Sequence, residues 1–166
     1  MSLTDEKKGR YMDGFQVLSN ICKVDPVKLP VTSGVTISKG DVVVVTNGYL
    51  ALATTLADLV QDIYIAQDNN TAAEASSDGA VSCLCIPAVN SNIHFQVPVT
   101  ANTVLAQTNV GVSYNLDGSE DGITIASAVT KDVGFLIERI DISAAAIAVN
   151  TYGYAIGRFV SMAETT

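Results

Sequence analysis

The sequence contains no tryptophan and a single histidine, and between Lys39 and Lys131 it has neither lysine nor arginine. Each gap excludes something. Without tryptophan, and with only four phenylalanines and six tyrosines in 166 residues, the chain lacks the aromatic platforms that stack on sugar faces or line a deep ligand pocket. One histidine leaves a single position for the side chain most often used as a general base near neutral pH. A net charge of −8 with a long cation-free middle is the reverse of what phosphate backbones and acidic bilayers attract, so neither nucleic acid nor a membrane surface is an expected partner. No apolar run approaches the roughly 18 residues that suggest a spanning helix. Met1 to Arg10 has no apolar stretch of the kind that opens a secretory signal, so the chain reads as made in the cytoplasm. Three cysteines, an odd number, do not make a disulfide framework.

What the chain does have is a succession of short, alternating apolar segments separated by turn residues. The clearest is Val42 to Thr46, then Asn47-Gly48, then Tyr49 to Ala53. Asn-Gly between alternating segments specifies a two-residue hairpin, because both residues tolerate positive φ. Further strands are expected at Val35 to Ile37, Asp62 to Ala66, Ala80 to Ile86, Ile93 to Val99, Val110 to Leu116, Gly122 to Ala126, Val133 to Ile140 and within Ala144 to Val160. Thr54 to Val60 reads as a helical turn or a loop, and Ala144 to Val149 has helical propensity in a strand-rich setting. Short strands at this spacing indicate an all-β small barrel or sandwich.

Few residues carry chemistry in a recognisable pattern. Cys83 and Cys85, two apart on an expected strand, share a face and read as reduced, buried thiols. With His94 they would offer three zinc ligands, but Cys-x-Cys plus a distant histidine lacks a fourth ligand and the usual spacing. No metal and no cofactor are expected. The acidic tracts Gln67 to Gly79 and Asp117 to Gly122 lack the ligand rhythm of a calcium loop and read as solvated. Adjacent carboxylates such as Glu120 and Asp121 point apart, unlike a catalytic pair that flanks its substrate. His94, beside Phe95 in an alternating segment, reads as packed or half-exposed. No nucleophile elbow, phosphate loop or dinucleotide fingerprint occurs. Gly153 to Gly157 lies in a strand pattern, where glycine marks a bulge or a close backbone approach. No catalytic residue is assigned, and an enzyme is not the expectation.

Six of the nine basic residues lie at or before Lys39. Met1 to Asn20 is charged and then sparsely apolar, with Gly9 and Gly14 interrupting any helix, and reads as an arm that orders against a partner. Asp25-Pro26 and Leu29-Pro30 hold the backbone extended and read as a linker. The expected organisation is an N-terminal arm and linker over residues 1–30 and a β-rich domain over 31–166.

The pieces of that domain, made of common β and turn residues, follow a set order: Gly40-Asp41-Val42-Val43 before the hairpin to Gly48-Tyr49-Leu50, then Val110-Gly111-Val112-Ser113-Tyr114-Asn115-Leu116, Gly122-Ile123-Thr124-Ile125, Val133-Gly134-Phe135-Leu136 and Arg158-Phe159-Val160. It resembles that of tailed-phage capsid decoration, or cement, proteins over about Val31 to Val160. The resemblance implies a small body of SH3-like or β-tulip character that forms a homotrimer on the outer capsid surface, with an N-terminal segment reaching across the major capsid protein. It implies a virion structural protein, made in the host cytoplasm, that bridges capsid subunits against internal genome pressure and performs no reaction. Under it, Lys7, Lys8 and Arg10 would pair with acidic capsid groups, and Tyr11 and Phe15 would anchor the arm. The composition also suits another phage structural component, such as a head-fibre base or tail protein; a carbohydrate-binding β-module is a weaker alternative, because it would need the aromatic platforms that are scarce here.

Overall fold

Asn47 and Gly48 take φ values of 52° and 88°, and the segments they join pair Thr46 with Tyr49 and Val45 with Leu50. The expected hairpin is therefore present. Around it the structure, a computed structural model, describes residues 14–21, 23–56, 62–89, 92–99, 105–117, 122–130, 132–141 and 154–162. Their strands are β1 (Gln16–Ser19), β2 (Val27–Pro30), β3 (Val42–Thr46), β4 (Tyr49–Leu52), β5 (Ile63–Ala66), β6 (Ser82–Pro87), β7 (His94–Pro98), β8 (Ser113–Leu116), β9 (Ile123–Ala128), β10 (Asp132–Asp141) and β11 (Tyr154–Met162). One 3₁₀ turn, Gln107–Asn109, precedes β8. Among the described residues no helix is long and apolar enough to cross a membrane.

The strands form two antiparallel sheets, ordered β1-β7-β11-β10-β8-β9 and β2-β6-β5-β3-β4. The fold is all-β and sandwich-like; single parallel bridges, Val31 to Leu50 and Val99 to Ile123, draw strands together without closing a barrel. Val42, Val44, Ile63, Ile65 and Ile86 of the five-stranded sheet meet Phe95, Val97, Phe135, Ile137 and Phe159 of the six-stranded one in the main core. The alternate residues Val43, Leu50, Ala66, Cys83 and Cys85 face a second cluster with Val31, Ile37 and Ala75. The five-stranded sheet is thus apolar on both faces, which is why the Val42 to Val45 run does not alternate with polar residues.

The N-terminal part differs from the expectation in one respect that matters for function. Phe15, expected to anchor an arm on a capsid, is 2% exposed. It contacts Phe95, Phe135 and Phe159, with ring centroids 6.3, 5.3 and 4.9 Å away. A side chain enclosed by the chain's own core cannot also anchor a partner, so Phe15 is withdrawn from the interface set. Its position is fixed by the backbone: Phe15 N–H donates to the Gly40 carbonyl at 2.9 Å. Gly14 has φ +89°, and a β-carbon there would lie 2.7 Å from the Gly40 oxygen.

Residues 16–19 and 27–30, read from sequence as arm and linker, are strands at the margins of the two sheets, paired to β7 and β6. Val35 to Ile37 makes only a bridge from Ile37 to Asn70. Val110 and Gly111 form a turn, with Gly111 at φ 86°, before β8 begins. Lys7, Lys8, Arg10, Tyr11, the 57–60 stretch, Glu120, Asp121 and Ala144 to Val149 lie outside the described residues.

Candidate functional site

Two arrangements of side chains stand out on the described surface. The first runs across four strands of the six-stranded sheet. Residues 137 and 139 of β10 pair with Gly157 and Ile156 of β11, leaving Glu138 as the extra residue of a bulge. A β-carbon at Gly157 would lie 1.8 Å from the Leu136 carbonyl oxygen, so the bulge requires glycine opposite it. The bulge aims Glu138 at two partners: Arg158 Nε donates to its Oε1 at 2.8 Å, and His94 Nε2 lies 2.6 Å from its Oε2. On the other side of the ring, Ser19 Oγ is 3.3 Å from His94 Nδ1.

Nε2 donates to the carboxylate, and Nδ1 faces the Ser19 hydroxyl. Serine, imidazole and carboxylate are connected as in a hydrolase relay. The environment works against that chemistry. The Arg158 guanidinium shares the carboxylate and weakens what Glu138 can lend the ring, and His94, Glu138 and Arg158 are each about one-third exposed, at 32%, 33% and 35%. Burial alone would raise the Glu138 carboxyl, but the hydrogen bond from Arg158 and the charge and hydrogen bond of His94 hold it below its ordinary value. The arrangement is a cross-strand clasp tying β1 to β10.

The second arrangement is the crossing from β1 to β2, from the margin of one sheet to the margin of the other. Asn20 closes it: its Oδ1 accepts from Val24 N–H at 2.9 Å and its Nδ2 donates to the Val24 carbonyl at 3.0 Å. Lys23 N–H donates to the Asn20 carbonyl at 3.1 Å, with Lys23 at φ 50°. Val17 and Val24 pack on the main core at either side of the loop. Ile21 stands out at the tip, 82% exposed, with Leu18 and Val27 at 44% and 36%. These three are the large hydrophobic side chains left exposed among the described residues. Lys23, Asp25 and Lys28 are exposed along the same crossing.

Cys83 and Cys85 are free, buried, and on the same face, towards the second core. Hydrogen bonding to Cys83 and then burial hold the Cys85 thiol far above its ordinary value. His94 belongs to the other sheet, so the three zinc candidates are not brought together. Among the described residues no group of three or more His, Cys, Asp or Glu is placed to hold a metal ion.

The acidic loop between β5 and β6 is not merely solvated. Asp68 accepts from Leu84 N–H at 3.2 Å, Asp78 from Ser33 N–H at 2.8 Å and Glu74 from Thr71 N–H at 2.7 Å. Its carboxylates satisfy backbone donors, while Asn70 and Ala75 are buried beneath it. In comparison with known proteins, the chain matches no family model, no curated protein and no solved structure.

Proposed function

We propose that this protein is a virion structural component that binds the outer surface of a phage capsid and stabilises it by bridging subunits of the major capsid protein. The reading is supported by the margins of β1 and β2, where Leu18, Ile21 and Val27 are the large hydrophobic side chains left exposed among the described residues. Exposed aliphatic side chains interspersed with charged ones suit contact with another protein. The two-sheet body gives those margins a rigid base, and the acidic middle of the chain keeps free subunits apart in solution.

The action is mechanical. A homotrimer touching several capsid subunits makes each later contact at high effective concentration, so modest individual contacts suffice. No reaction and no cofactor enter this reading. Its test is capsid stability: shells of the virus that encodes the protein, prepared without it, should rupture at a higher temperature once it is added. Rupture at the same temperature, with the protein bound, would remove the stabilising role.

A further inference from the structure

Asn47-Gly48 is the one Asn-Gly pair in the chain, and the turn it forms carries chemistry besides its shape. Asparagine is a thermolabile residue, and its amide is most open to attack by the next backbone nitrogen when that residue is glycine, which has no β-carbon to stand in the way. The fold leaves this pair accessible. Both residues are exposed, and among the described residues no hydrogen bond holds the Asn47 side chain or the Gly48 N–H. Nothing lies within 4 Å of where a β-carbon on Gly48 would stand, so a ring closed at the tip meets no neighbour. Asp78-Gly79, a pair of related chemistry, is held differently. Asp78 Oδ1 accepts from Ser33 N–H at 2.8 Å and Gly79 N–H donates to the Val31 carbonyl at 2.9 Å, so both groups that would have to meet are engaged elsewhere.

We propose that Asn47 is a site of spontaneous covalent modification, at which the hairpin tip converts to aspartate and isoaspartate through a cyclic imide with Gly48. The Gly48 nitrogen bonds to Cγ of Asn47, the Cγ–Nδ2 bond breaks, and ammonia leaves with the proton that the Gly48 nitrogen loses. Water then opens the imide. Opening at Cγ gives aspartate with the main chain unchanged. Opening at the main-chain carbonyl leaves the chain running through Cγ, an isoaspartate with an additional carbon in the turn. Nothing is oxidised or reduced, and water is the only co-reactant.

The two products act differently on the sheet. Asp-Gly suits the same two-residue turn, so the aspartate keeps Thr46 opposite Tyr49 and Val45 opposite Leu50. It adds a negative charge to the stretch between Lys39 and Lys131, which has no lysine or arginine to offset it. The isoaspartate lengthens the turn and does not fit that register, which the turn fixes. Leu50, fully buried in the second core and bridged to Val31, is the side chain it displaces.

The test ages the full chain in mildly alkaline buffer, where the Gly48 nitrogen gives up its proton more readily, and follows it by peptide mapping with mass detection. A guanidinium-unfolded sample aged beside it gives the rate without the fold. In the folded protein the peptide containing Asn47 is expected to exchange NH2 for OH before any other asparagine does. It should yield two products, one co-eluting with the same peptide from Asn47→Asp. The Asn47→Asp chain should keep the melting temperature of the unmodified chain, and the isoaspartate fraction should melt lower. An unchanged Asn47 peptide in the folded chain, once the unfolded sample has converted by half, would overturn the proposal by showing that the hairpin keeps amide and nitrogen apart. A single product matching Asn47→Asp would remove the imide route.

Discussion

All four phenylalanines of the chain meet between the sheets, and Phe15 contacts the other three. Phe15→Ala is expected to cost about 3–5 kcal/mol, read as a lower denaturation midpoint with little change in slope. A cost below about 0.5 kcal/mol, the range of surface substitutions, would mean that Phe15 lies outside the core. Gly157 is constrained differently. Its missing β-carbon leaves room for the Leu136 carbonyl, so Gly157→Ala must push β11 away from β10 at the bulge and should cost about 3 kcal/mol. The clasp at Glu138 has a pH signature. Its carboxyl is held below the ordinary value in the fold, so the stability it contributes is present above the unfolded carboxyl pKa of about 4.3 and is lost as pH falls through the lower folded value. Glu138→Gln should therefore flatten the acid limb of the stability curve, by less than about 1 kcal/mol because the pair is one-third exposed. An identical limb in the variant would show that the clasp contributes nothing.

At the scale of elements, the loop from Gln67 to Val81 acts as a cover for the second core. If so, Cys83 and Cys85 are shielded by it: no more than one of the three cysteines should react with a thiol reagent in the native protein, and the other two only on unfolding. Rapid labelling of all three would show that the loop does not cover them. Most strands were legible because their evidence is local, in alternation and turn residues, as at Asn47-Gly48. Phe15 was not: Phe15-Gln16-Val17-Leu18 follows a charged terminus and reads locally as a weakly amphipathic end. Only its pairing with β7, nearly eighty residues away, makes it a core strand entry. The clasp was illegible for the same reason, since Ser19 and His94 are 75 residues apart and Glu138 reaches them through a bulge that only the register reveals. The two hydrogen bonds between the Asn20 side chain and the Val24 backbone leave no sequence pattern; from sequence the segment offered only prolines and an extended backbone.

For the whole molecule, charge is unevenly distributed along the chain. A net charge of −8 makes free copies repel one another. Because Phe15 and β1 belong to the sandwich, any removal of the N-terminal segment has to stop at Asp13 if the body is to remain folded. The most direct measurement is co-sedimentation of the purified chain with shells of its own virus that lack it, across a concentration series, with the version lacking residues 1–13 alongside. Saturable binding at a fixed number of copies per capsid subunit is expected for the full chain, with the truncated version reporting how much of the affinity lies in the body. A full-length chain that stays in the supernatant at every concentration, while folded, would contradict the proposal that this protein is a capsid component.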